Sequence, residues 1–312
     1  MLVSLALLTL GVLTASLAPR LLARADWAER EPVVALWVWQ CVVAAVLLSF
    51  ALAMTFSAAA AWQAVRGQVF ASAPAAVIEA YELGGNRPWS AVLAVLLAAG
   101  GVWTGAMLGR EIGLARAGRK RRRGELLVRA PLLPGEEPSG SARLVVLEGE
   151  RADAWWLPGG APRLVITTAA LRRLKGRQLD AVLAHEQGHA RARHDWLLHC
   201  SAALAEGFPG VPVFAAFRGE MHRLVELAAD DVASRRFGRL TIALALVELN
   251  EDRGVFGPGQ AHDADLPQRV NRLLAATPRL TAARRLRLTA AAALVPVVPV
   301  LIAFVPALRA LR

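Results

Sequence analysis

The sequence predicts a membrane α-helical unit with four spans, joined to a mainly α, α+β domain that carries a small sheet. Three observations lead there. Hydrophobic residues make up 55% of the 312-residue chain, more than an average soluble domain holds. Stretches without charge occupy residues 2–18, 33–56, 90–108 and 288–308, each near the length that crosses a bilayer. Between the third and fourth stretches, apolar residues recur at helical spacing in a segment of ordinary domain size. The expected division is a membrane unit over residues 1–109, a basic stem and linker over 110–142, a domain over 143–287, and a closing span with a short tail over 288–312.

The first span contains Ala15-Ser16-Leu17-Ala18, which resembles a signal cleavage site. No charged residue precedes Arg20, so the positive leader of a signal peptide is missing and the span is expected to be retained. The link that follows carries Arg20, Arg24 and Arg30. The loop over residues 57–89 holds only Arg66 and Arg87, whereas Arg110, Arg116, Arg119, Lys120, Arg121, Arg122 and Arg123 crowd behind the third span. Arg279, Arg284, Arg285 and Arg287 precede the fourth. Basic residues stay on the cytoplasmic side, which places the domain inside, and the 57–89 loop and the N-terminus outside. The net charge of +11 is concentrated beside spans, so it points to anionic lipid headgroups and the bilayer, with no direct nucleic-acid contact.

Within the domain, residues 135–141 read as a flexible link, and residues 143–147 and 163–167 as paired strands. A free edge of that sheet would suit an extended peptide. A helix follows over 168–175, capped by Thr167 or Thr168 and ended by Gly176. Residues 197–217 are apolar but broken by Glu206, Gly207, Pro209, Gly210 and Pro212, which suggests a helix, a turn and a membrane-facing loop. Trp155 and Trp156 fit a substrate groove, interface anchoring or core packing equally well. Pro296, Pro299 and Pro306 predict a kinked fourth span.

The chemistry is concentrated in Ala184-His185-Glu186-Gln187-Gly188-His189-Ala190. On a helix of 3.6 residues per turn, two histidines four apart lie about 40° from one another, so their imidazoles converge on one point. Neutral imidazoles supply half of a tetrahedral zinc site. Glu186, next to the first ligand, is placed to deprotonate a water and not to bind the metal, which implies hydrolysis of a peptide bond. Gly188 lets another element pack close. The third ligand is expected from Met221-His222-Arg223-Leu224-Val225-Glu226-Leu227-Ala228-Ala229-Asp230-Asp231. Glu226 is favoured because two alanines after it allow close helix approach; His222 and Asp231 compete with it. Asp230, one turn on, would accept a hydrogen bond from the distal nitrogen of a ligating histidine. Arg269 and His222 are candidates to stabilise the transition-state charge. One zinc ion per chain is expected. Cys41 and Cys200 do not pair, and Cys200 as a fourth ligand would close the site against catalysis.

The run Glu226-Leu227-Ala228-Ala229-Asp230 after H-E-x-x-H resembles the E-x-x-A-D signature of membrane-embedded gluzincins, the HtpX-type proteases and the BlaR/MecR-type antibiotic-sensor transducers. Upstream, Ala154-Trp155-Trp156-Leu157-Pro158-Gly159-Gly160 followed by Arg163-Leu164-Val165-Ile166-Thr167 is similar to their strand turn. His189-Ala190-Arg191-Ala192-Arg193-His194-Asp195-Trp196-Leu197 is similar to the BlaR-type extension. The likeness is strongest over residues 144–274. It implies a zincin-like metallopeptidase domain in a bacterial cell membrane, multi-pass and facing the cytoplasm, with zinc on His185, His189 and Glu226. The implied protein substrate is a cytoplasmic transcriptional repressor if the role is regulatory, or a membrane protein if it is quality control; oligomerisation stays open. An extracellular sensor after the fourth span is not expected, because the chain stops there. The chain departs from the HtpX type at His262, which stands at the wrong spacing before Arg269. A zinc-binding scaffold that does not cut is the reading from another class.

Overall fold

The computed structural model describes residues 2–66, 88–129, 143–157, 163–250, 266–275 and 278–310. The link at 135–141, most of the 57–89 loop, the turn at Pro158-Gly159-Gly160 and the segment with His262 lie outside them. Packing divides the chain into two units. One comprises Met1–Gly109, Ser201–Arg218 and Leu280–Arg312, and the other Arg110–Cys200 and Gly219–Arg279.

In the first unit, α1 (Leu2–Leu22), a short α2 (Trp27–Arg30) and α3 (Pro32–Arg66) come first. Among the described residues, two single helices are long and apolar enough to cross a membrane, Leu2–Leu22 and Pro32–Ala59. The next helix, α4 (Pro88–Arg129), contains residues 90–108, expected as the third of four spans, and continues without a break through the basic stem. At 42 residues it is about 63 Å long, and residues 110–129 of the basic stem belong to it. Near the C-terminus two helices, Ala282–Leu294 and Val297–Arg309, meet at a 45° bend and form one broken span or a re-entrant pair. The bend falls at Val295 and Pro296, where proline removes a backbone donor. Buried Leu7, Ala53 and Ala303 bring α1, α3 and the last helix together. Gly11 permits close contact, since a Cβ there would sit 3.3 Å from the Cβ of Ser49.

The second unit holds the sheet, β1 (Arg143–Leu147), β2 (Ala154–Leu157) and β3 (Arg163–Thr167), in the order β1-β3-β2. The expected pairing of 143–147 with 163–167 is parallel, Arg143 opposite Arg163, while β2 runs antiparallel to β3. Central β3 is buried on both faces at Leu164, Val165 and Ile166. On β1, Leu144 and Val146 are exposed and Val145 and Leu147 buried, the alternation of a half-covered edge strand.

Helix α5 (Thr168–Arg173) is capped by Thr167, whose Oγ1 accepts the Ala170 N–H at 3.2 Å. It ends earlier than the sequence suggested. Leu174 is its C-cap, and Gly176, with φ of 52°, stands instead at the entrance of α6 (Arg177–Ala192). Helix α7 (His194–Gly207) follows, then α8 (Pro212–Phe237) and α9 (Arg239–Asn250). The membrane-facing loop expected near 208–217 is therefore corrected to a turn at residues 208–211. Pro212 starts a 26-residue helix, because proline lacks only an N–H that the first helical position leaves unbonded anyway. With α10 (Leu266–Ala275), these helices share a core of Ala181, Ala184, Ala233, Ile242, Leu246, Leu266 and Leu273, which fixes α6, α8 and α10 side by side. The last two helices of the chain are α11 (Ala282–Leu294) and α12 (Val297–Ala310).

Candidate metal centre

Helix α6 presents His185 and His189 on one face, and α8 brings Glu226 against them. Nε2 of His185 and Nε2 of His189 are 3.1 Å apart. Oε2 of Glu226 lies 3.5 Å from the first, and Oε1 lies 3.3 Å from the second. A tetrahedral ion with bonds of roughly 2.0–2.1 Å has ligand-to-ligand edges of about 3.3–3.4 Å, so these three donors already outline one face of such a polyhedron. Among the described residues they are the group that could hold a metal; His222 and Asp231, the competing third ligands, are not in it.

Close helix approach makes the face possible. A Cβ on Gly188 would sit 3.4 Å from the Cα of Ala229 and 3.5 Å from the Cβ of Val232. That is ordinary contact for a methyl group, and alanine favours a helix by roughly 1 kcal/mol over glycine. Gly188→Ala should therefore keep its metal and its melting temperature. Gly188→Leu has no such room and should push α8, with Glu226, away. Metal analysis of the two purified variants checks this, and a full complement in the leucine variant would refute the packing argument.

A second layer of charge holds the donors. Oδ1 of Asp230, fully buried, lies 3.0 Å from Nδ1 of His185. Arg269, on α10, clamps Asp230 through Nε at 2.9 Å and Nη2 at 2.7 Å, and reaches Oε2 of Glu226 with Nη1 at 2.9 Å. The guanidinium proposed from sequence to steady an oxyanion is thus engaged with two carboxylates of the site. Asp231, the next residue, turns away to Arg272 at 2.9 Å and Arg279 at 2.7 Å, which adds a second tie from α8 to α10 and the chain beyond it. His222, one turn before Glu226, is half-buried on α8.

His194 was not anticipated. Its Nδ1 lies 3.0 Å from Nδ1 of His189, and it is buried. Arg193 adopts a left-handed conformation, φ 52° and ψ 41°, which closes α6 and lets α7 begin at His194. If Nε2 of His189 ligates a metal, its Nδ1 carries the proton and donates to His194. The only sequence signal was the histidine five positions on, and that spacing has no fixed meaning once a helix ends between the two residues.

Glu186 points to the sheet. The backbone N–H of Trp156, on edge strand β2, donates to its Oε2 at 3.1 Å. Burial, helped by Glu226 and opposed by His185, pushes the Glu186 carboxyl up to about 7. That is a value suited to taking and returning a proton near neutrality. Burial opposes charge on His185, but hydrogen bonding to Asp230 and Glu226 outweighs it and raises the imidazole to about 10. His189 moves the other way, to about 3, through burial and its neighbours His185, His194 and Arg269. Burial works against ionisation of Glu226 too, yet Arg269 and the two histidines hold its carboxyl well below the usual range.

A half-buried glutamate one residue from a ligating histidine, with a third donor from a separate helix, is how metal-dependent peptidases activate water, and that class fits both the fold and the donors. Residues 116–281 match Peptidase family M48, more than half of the chain, and the protein belongs to that family. No individual curated protein and no solved structure matches it.

Proposed function

We propose that the chain is an integral-membrane, zinc-dependent endopeptidase that cuts cytoplasmic or membrane-proximal proteins. The convergence of His185, His189 and Glu226 beside Glu186 is the observation that carries this reading. When bound, one zinc ion per chain supplies Lewis-acid polarisation of the scissile carbonyl and of the attacking water. Glu186 takes the proton from that water and passes it to the leaving amine. Asp230 fixes the orientation of His185 through Nδ1, and His194 does the same for His189. Arg269 balances the negative charge of Asp230 and Glu226, and its Nη1, held 2.9 Å from Oε2 of Glu226, is a candidate to steady a developing oxyanion beside the site. An extended peptide would add to the outer edge of β2, beside the base.

The BlaR-type likeness of the stretch from His189 to Leu197 favours a regulatory role with a transcriptional repressor as substrate. An HtpX-type role would instead show breakdown of misfolded membrane proteins. Purified chain loaded with zinc should cleave casein or itself, and a chelator should stop it. A fully zinc-loaded chain that cuts neither would leave the non-cutting scaffold. Loss of a co-expressed repressor, with bulk membrane protein unchanged, would separate the regulatory role from quality control.

Topology decides which proteins the site meets. The basic runs in the second half of α4 and at the start of α11 should keep the peptidase unit in the cytoplasm. A reporter active only in the cytoplasm should be on when fused after Ser141, and off when fused after Gly84 or after Arg312. The reverse pattern would exclude cytoplasmic substrates.

A further inference from the structure

A second cavity in the membrane-helix unit has a chemistry that the peptidase reaction does not use. It measures about 330 Å³, and Arg24, Asp26, Trp27, Arg30 and Arg284 line it. Three arginines and one aspartate are therefore gathered around it. Among the described residues none of the three has an ion-pair partner, unlike Arg269, Arg272 and Arg279, whose carboxylates are buried in the domain. The backbone around the cavity is already fixed. The turn from α1 into α3 is closed by the Ala25 N–H on the Leu22 carbonyl and the Glu31 N–H on the Trp27 carbonyl, both at 3.0 Å. Buried Glu31 accepts the backbone N–H of Leu280 at 3.2 Å, which holds the start of the C-terminal helices against that turn. Trp37 repeats the tie further along, donating from Nε1 to the Thr289 carbonyl at 3.2 Å. Arg284 thus reaches the same cavity as Arg24 and Arg30 although it is distant in sequence.

Guanidinium groups pair with phosphate oxygens through two parallel hydrogen bonds, which gives recognition beyond charge alone. The volume is at the small end of ligand pockets and suits a headgroup. The surroundings suit a lipid better than a free ion. Helices α1 and α3, which flank the cavity, are each long and apolar enough to span a membrane. Trp27 is the residue type that favours the headgroup level. Leu21, Val33 and Leu286 beside the lining residues are 67%, 58% and 69% exposed, apolar surface that acyl chains would cover.

We propose that this cavity binds the phosphate group of an anionic phospholipid, seated on Arg24, Arg30 and Arg284. The site is independent of the metal centre and of the peptidase reading. The test uses the full chain purified in mild detergent, titrated with phosphatidylglycerol or phosphatidylcholine and read by native mass spectrometry. Phosphatidylglycerol should bind at least about tenfold more tightly than phosphatidylcholine. Arg24→Gln/Arg30→Gln/Arg284→Gln should lose roughly tenfold or more of that affinity, whereas Arg191→Gln/Arg235→Gln/Arg236→Gln, on the exposed surface of the other unit, should lose none. Thermal unfolding followed by circular dichroism on the same preparations shows that the variants, whose substitutions lie in the membrane-helix unit, are folded. Arg284→Lys keeps the charge without the fork and should fall between wild type and the triple variant. The proposal is overturned if the glutamine triple binds phosphatidylglycerol like wild type, or if the lysine variant is indistinguishable from wild type. Displacement of the lipid by millimolar inorganic phosphate would identify a free anion as the occupant and overturn it too.

Discussion

Glu186→Gln retains metal and loses hydrolysis by about 10²–10⁴-fold or more; His185→Ala loses both. The two outcomes differ because the residues touch different things. Gln keeps the size of Glu and an oxygen able to accept the Trp156 N–H that now bonds Oε2, so α6 with its two histidines and Glu226 on α8 stay in place. What it lacks is the ability to hold a proton and return it. Ala at 185 removes one of three donors and leaves Asp230 facing a void, with Arg269 as its remaining partner. Zinc analysis of both purified variants, together with casein cleavage, checks the pair. Equal loss of zinc in the two would contradict the division of labour between base and ligand.

The second large effect belongs to α8. Glu226→Gln should strip most of the metal, since an amide oxygen is a far weaker zinc donor than a carboxylate, while the fold keeps an acceptor for Nη1 of Arg269. His222→Ala should leave metal content near wild type, because His222 lies outside the converging group. Asp230→Asn should be intermediate, with a loss of about 10–100-fold in metal affinity, as expected when the partner of a ligating histidine is changed. Asp230→Ala should be worse for a different reason. It leaves the half-buried Arg269 clamp without its two-bond partner, and breaking a buried pair from one side costs about 3–5 kcal/mol. Thermal unfolding separates that structural loss from the affinity loss. If His222→Ala removes the metal and Glu226→Gln does not, the third donor has been misassigned.

How much of this was legible in the chain depends on sequence separation. The H-E-x-x-H geometry is local to one helix, and spacing alone places both imidazoles. Glu226 and Asp230 were readable because the alanines between them announce a close helix contact, which Ala229 makes with Gly188. The parallel pairing partner of β1 was readable from two apolar runs. Other features depend on contacts that no local pattern encodes. Arg269 meets Asp230 across 39 positions, and Trp156 meets Glu186 across 30. Pro212 read as a breaker because proline interrupts helices from within, yet here it begins one. Charge marks where the apolar stretch before residue 109 ends but not where its helix ends, because arginine and lysine are good helix formers and the helix runs on to Arg129.

The contact between Trp156 and Glu186 has a consequence for how this peptidase can diversify. The base is tethered to a main-chain N–H, and every amino acid except proline offers one. The side chain at position 156 can therefore change while the hydrogen bond to Glu186 is inherited unchanged. Whatever the indole contributes is separable from what the backbone beside it holds in place. A library at position 156 should accordingly keep its hydrolytic activity at every residue except proline.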